Sequence, residues 1–214
     1  NLRVKSVSDG MAKSERAIKK STNVKLGKKV TRGKLKGFPI LTLTLEERAT
    51  CPRSCIHWGD CYGNNMMNAT RYKGDQALLD QIESDLAFYQ AKHPNGFLVR
   101  LHVLGDFYSV QYVELWQSLL CKYDNLAIWG YTGNTRNSPI GLAIRSLTNF
   151  MGNRFAVRFS NDLTYKFAAN STERAKPVKG RSFVCPEQTG NVANCANCAL
   201  CWSADTRQVL FMTH

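Results

Sequence analysis

Phe97-Leu-Val-Arg-Leu-His-Val-Leu104, then Gly105-Asp-Phe-Tyr108, then Ser109-Val-Gln-Tyr-Val-Glu-Leu-Trp-Gln-Ser-Leu-Leu-Cys-Lys122 is the stretch that decides the fold. An apolar, β-branched run reads as a strand, and a polar loop ends it. Ser109 then caps a helix whose Val113, Trp116, Leu119 and Leu120 fall on one face. The same unit recurs downstream. Leu126–Tyr131 is a strand ending in Thr132-Gly133-Asn134, and Pro139 lies near the start of a helix running to Phe150. Phe155–Phe159 is a strand ending in Ser160-Asn161-Asp162.

Upstream, Phe38-Pro-Ile-Leu-Thr-Leu-Thr-Leu45 alternates and reads as a strand, residues 65 to about 73 read as a short helix, and Asp75 to Lys92 reads as a longer one. Arg181–Val184 and Val209–Met212 read as short strands, with residues 163–180 unassigned. Strand, polar loop and helix in repetition predict an α/β fold with a parallel sheet. Ligands in such sheets sit beyond the carboxyl ends of the strands, so the loops named above are expected to share one rim. Arg100 with His102, and Arg158 with Ser160, fall on single strand faces by parity. Buried charge is costly, so these residues predict a polar lumen in a sheet curved into a partial (β/α) barrel.

Seven of the eight cysteines form two groups: Cys51, Cys55 and Cys61, and Cys185, Cys195, Cys198 and Cys201. Both follow strands. Their spacing of two or three residues suits chelation better than disulfide stapling, and a reducing, cytoplasmic setting follows. The Cys195-x2-Cys198-x2-Cys201 turn, completed by Cys185, is the spacing of loops that hold a [4Fe-4S] cluster, with zinc as the alternative. The first group offers three thiolates, which leave one metal position open unless His57 or Asp60 fills it. Cys121, among Leu119 and Leu120, reads as core, as does Trp116; Trp58 and Trp202 stand beside the ligand loops and can shield them.

Formal charge is +13, and twelve Lys and Arg lie within residues 1–37 against Asp9 and Glu15. The chain therefore divides into a basic N-terminal arm, 1–37, and an α/β body, 38–214. Lys13, Arg16, Lys19, Lys20, Lys25, Lys28, Lys29, Arg32, Lys34 and Lys36 are the candidate contacts to nucleic acid. Hydrophobic residues make up 43% of the chain, enough for a proper core, and no apolar run reaches the length of a membrane span.

Gly105-Asp106-Phe107-Tyr108-Ser109 with Tyr112-Val113 and Trp116, then Trp129-Gly130-Tyr131-Thr132, resembles the phage gene product 88 family. Arg158-Phe159-Ser160, Cys195 to Cys201-Trp202, Asn23-Val24-Lys25-Leu26-Gly27 and Thr50-Cys51-Pro52 extend the resemblance over most of residues 20–203. It implies a radical-SAM-like fold with iron–sulfur clusters, in which a cluster on three thiolates binds S-adenosylmethionine (SAM). The radical-SAM motif is CxxxCxxC; here the interval from Cys55 to Cys61 is longer, and Tyr62 follows the last cysteine. On this basis Asp106, Tyr131, Thr132, Arg158, Ser160 and Asn161 are expected to contact SAM or substrate, and His102 and Asp106 to serve as acid–base groups. The expected activity is redox or radical chemistry on nucleic acid, such as base or tRNA modification. Two alternatives are a nucleic-acid-binding module with structural metal and a zinc-dependent hydrolase.

Overall fold

The computed structural model describes residues 6–7, 16–203 and 207–212. Its strands are β1 (Ser6–Val7), β2 (Lys19–Lys20), β3 (Ile40–Leu43), β4 (Arg71–Tyr72), β5 (Phe97–Leu101), β6 (Leu126–Thr132), β7 (Phe155–Ser160), β8 (Ala168–Ser171), β9 (Ser182–Val184) and β10 (Gln208–Phe211). Its helices are α1 (Glu47–Thr50), α2 (Gln76–Lys92), α3 (Val110–Lys122), α4 (Pro139–Met151) and α5 (Cys195–Cys198). Among the described residues, β2-β3-β5-β6-β7-β8-β10-β9 form one eight-stranded sheet, and β1 pairs with β4. Every neighbour in the large sheet is parallel except the edge strand β2, which runs antiparallel to β3.

The central order β3-β5-β6-β7-β8 steps one way, so right-handed crossovers place α2, α3 and α4 on a single face. Parity along the strands does the rest. Leu41, Leu43, Val99, Leu101, Ile128 and Val157 point into the helix layer, where they meet Leu86 of α2, Trp116 of α3 and Ile144 of α4. Ile40, Leu98, Ala127, Trp129 and Ala156 point the other way. No helix of crossover length covers that second face among the described residues. Leu26 and Val30 of the basic segment cover it instead, with Ala196 and Trp202 of the second cysteine loop. Burial on both faces is why these strands read as nearly continuous apolar runs.

Asp75, Ser109 and Ser138 cap α2, α3 and α4, each accepting a backbone N–H with its side chain. The helices therefore start where the sequence places them. From Arg16 on, the basic segment is part of the body: Ile18 is fully buried, and its N–H donates to the buried Asp85 carboxylate at 2.8 Å. Arg16 stacks over Phe88.

Four expectations change. Residues 65–73 are not helical: a 3-10 turn spans Tyr62–Asn65 and the chain then extends into β4. Arg71 holds this turning path, its guanidinium donating to the Gly63, Met66 and Ala69 carbonyls. The strand read as reaching Leu104 ends at Leu101. Arg100 and His102 consequently part: Arg100 lies over Trp129, while His102 packs on Phe107 and Tyr112 in the helix layer. Cys121 is exposed rather than core, because α3 buries Leu119 and Leu120 and turns the next position outward. β8 lies within the span left unassigned; its Ala-Ala-Asn-Ser sequence has neither branched side chains nor alternation.

Candidate metal centre

The first cysteine loop leaves β3 through α1, which ends as the Cys51 N–H donates to the Glu47 carbonyl. Arg71 holds both ends of that loop. Its Nε and Nη2 donate to the two oxygens of Glu47 at 2.7 and 3.0 Å, and the remaining donors reach the Gly63, Met66 and Ala69 carbonyls at 2.9 to 3.1 Å. Glu47 stands just before Cys51 and Gly63 just after Cys61, so this buried pair fixes the loop's span. Sequence reasoning missed it, because nothing in a 24-residue separation pairs Glu47 with Arg71.

Asp106 anchors the loop to the sheet. The N–H groups of Phe107 and Gly133 donate to its carboxylate at 2.7 and 2.6 Å, and its own N–H donates to the Thr50 hydroxyl. Burial pushes the carboxyl up to about 6, while hydrogen bonds from Gly133, Thr132, Phe107 and Asn134 pull the other way. Gly105 has φ +86°, and a side chain there would meet Leu45 and Thr50, so this turn requires glycine. Asp106 and Thr132 thus form the junction beneath the first cysteine loop, with Cys55 close to Gly133. His102 is 6% exposed; its Nε2 pairs with the Tyr112 hydroxyl at 3.0 Å. Burial and the nearby Arg100 push its pKa down to about 3, which leaves it a neutral ring within an aromatic cluster. His57 and Asp60 face each other at the surface, 53% and 76% exposed.

The second cysteine loop lies across the helix-free face. Cys185 follows β9, and its N–H donates to the Leu210 carbonyl at 2.8 Å. Asn194 caps α5, and the Cys195 and Ala196 N–H groups donate to the Lys25 and Leu26 carbonyls. The basic segment therefore carries this turn on its own backbone. Burial pushes the Cys51 and Cys195 thiols up to about 12 and raises Cys55, Cys198 and Cys201. Cys51 senses Cys55 and Cys61; Cys195 senses Cys201 and Cys185; Cys198 senses Cys185.

Each group's thiols thus share one electrostatic neighbourhood. As placed, however, no three His, Cys, Asp or Glu side chains among the described residues are arranged to hold a metal ion. The donor chemistry fits a soft metal, and the positive charges of Arg158, Arg100 and Arg32 oppose the rise at Cys201, Cys195 and Cys198 respectively.

The strand ends also enclose a cleft of about 420 Å³, with Ser54 and Ile56 of the first loop on one side and Asn134, Arg136, Ser160 and Asn161 among its other walls. Arg136 pairs with Asp162 at 3.2 Å. The expected ligand-contact residues therefore divide three ways. Ser160 and Asn161 line the cleft, Asp106 and Thr132 sit under the first loop, and Tyr131 with Arg158 lies under the second. Of the candidate nucleic-acid residues, Lys20, Lys25, Lys28, Lys29, Arg32, Lys34 and Lys36 are exposed. Arg16 is ion-paired with Asp85, Lys19 lies over Tyr72, and Lys13 falls outside the described residues.

Among the described residues no helix is long and apolar enough to cross a membrane. No curated protein and no solved structure matches the chain. A family model described as gene product 88 matches residues 16–174, a span that takes in the basic segment, the first cysteine group and β3 to β8. With about three quarters of its length matched, the chain belongs to the gene product 88 family.

Proposed function

We propose that this protein is a two-centre iron–sulfur enzyme of radical-SAM-like type acting on or near nucleic acid, with Cys51, Cys55 and Cys61 at an open centre and Cys185, Cys195, Cys198 and Cys201 at an auxiliary one. One observation carries this: three cysteines follow β3 and four follow β9 in the same sheet, and the second cysteine turn packs on its helix-free face. The one-way strand order with crossover helices on one face is the winding of a barrel wall, which favours a partial (β/α) barrel with the helix-free side as its inner wall.

When bound, a cluster on three thiolates supplies one-electron chemistry and a coordination position for SAM or substrate. The chain's own residues do the rest. Arg71 and Asp106 hold the first loop at the strand ends. Arg100 lies over Trp129 on the helix-free side, where its cation favours an anionic group on a bound molecule. Ser160, Asn161 and Arg136 offer polar contacts in the strand-end cleft.

Metal analysis of anaerobically purified protein tests this. About eight irons per chain, with sulfide, are expected for two four-iron clusters, and about four after Cys51, Cys55 and Cys61 are all changed to Ser. Colourless protein holding zinc would overturn the redox reading in favour of a hydrolase or a structural zinc site. Protein without metal would overturn both.

The exposed cations of residues 20–36 support nucleic acid as the partner, because backbone hydrogen bonds to the sheet and to the second cysteine turn hold them in place. Changing Lys25, Lys28, Lys29 and Lys34 to Ala is expected to weaken RNA or DNA binding. It should also flatten the slope of log affinity against log salt by about 0.7 to 0.9 for each phosphate the segment no longer neutralises. An unchanged slope in a salt titration removes the segment from the interface.

A further inference from the structure

We infer that Arg158 is the buried counter-cation of a metal–thiolate centre at Cys185, Cys195, Cys198 and Cys201. This rests on the metal reading above. Arg158 is completely buried on β7, facing away from the helix layer. It stands directly opposite Tyr131 of β6, so the two side chains are neighbours on one sheet face. Tyr131 packs in the cluster that includes Cys185 and Cys201.

The other contacts of Arg158 leave its charge uncompensated. Nη1 donates to the Arg207 carbonyl at 2.8 Å, and the guanidinium stacks over Phe167 at 4.1 Å. Nε and Nη2 have no hydrogen-bond partner, and among the described residues no carboxylate pairs with Arg158. A lone buried guanidinium is a heavy penalty unless an anion stands against it. Four thiolates around zinc, or around a four-iron cluster, carry a net charge of about −2 whichever metal is present. That charge would lie in the cluster of Cys185 and Cys201 that packs on Tyr131, the cross-strand neighbour of Arg158. Arg158 therefore acts on the metal through its charge, as a positioning residue.

The test compares Arg158→Gln and Arg158→Met with the parent, all carrying Ser at positions 51, 55 and 61 so that only the second group binds metal. Chelator competition is expected to show about 10- to 100-fold weaker metal binding in both variants. Melting curves of chelator-stripped protein should show the reverse order. Arg158→Met should then melt above the stripped parent, because the uncompensated cation is gone. If the parent itself holds no metal, the metal reading falls and this inference with it. If the parent holds metal and the variants bind it equally well, Arg158 has no such role although the centre stands. Should the variants fail to load for any other reason, the stripped comparison decides: Arg158→Met melting below the stripped parent overturns the inference.

Discussion

Arg71→Ala is expected to lower stability by about 3–5 kcal/mol and, on the metal reading proposed above, to cost the first cysteine group its metal while the second keeps its own. The substitution removes a guanidinium that is 1% exposed and leaves the Glu47 carboxylate buried without its ion pair. The carbonyls of Gly63, Met66 and Ala69 lose a donor at the same time. Glu47 flanks Cys51 and Gly63 flanks Cys61, so the loop's ends come apart and its three thiols lose their common site. Urea melts read the stability, and metal per chain reads the loop. Arg71→Lys keeps the charge but cannot bridge two carboxylate oxygens and three carbonyls, so it should recover only part of the loss. A melt that Arg71→Ala leaves unmoved would show that the loop is held by something else.

Gly130→Ala is expected to prevent folding, with a cost beyond about 4 kcal/mol. Gly130 lies on β6 opposite Leu101 of β5, and a Cβ there would stand 1.5 Å from the Leu101 carbonyl oxygen. That oxygen belongs to the backbone of a neighbouring central strand, so no side-chain rotation can relieve the overlap. The two strands would have to separate where the sheet is most enclosed, between the helix layer and the second cysteine loop. Gly133→Ala is the control. Its nearest neighbours would be 3.5 Å away, an ordinary contact, and the change should cost no more than about 1 kcal/mol. Soluble yield and circular dichroism separate the two, and a folded Gly130→Ala protein would contradict the close approach of β5 and β6.

Much of the fold can be read locally. Asp75, Ser109 and Ser138 start their helices through hydrogen bonds spanning three residues, and the apolar faces of α2 and α3 repeat every three or four positions. The strands between them are short apolar runs bounded by polar loops. A parallel sheet then follows from chain order, and with it the gathering of loops at one rim. The cysteine spacing also names the donor chemistry, since sulfurs two or three residues apart can converge on one ion within a single turn.

Other features depend on partners far along the chain. Asp85 receives the Ile18 N–H across 67 residues, and this docks as part of the body a basic segment that composition alone reads as an arm. His102 leaves Arg100's face for the helix layer because its ring pairs with Tyr112. The two cysteine groups are the clearest case. The sequence alone determines that three thiols and four thiols stand in tight loops after strands, because ligand spacing is a property of a few adjacent residues. Only the tertiary structure decides that Arg71 braces the first loop, that the basic segment's backbone carries the second, and that Arg158 lies buried opposite Tyr131, which packs on Cys185 and Cys201. Those relations come from strand pairing and burial, which bring together residues whose separation in the chain carries no signal.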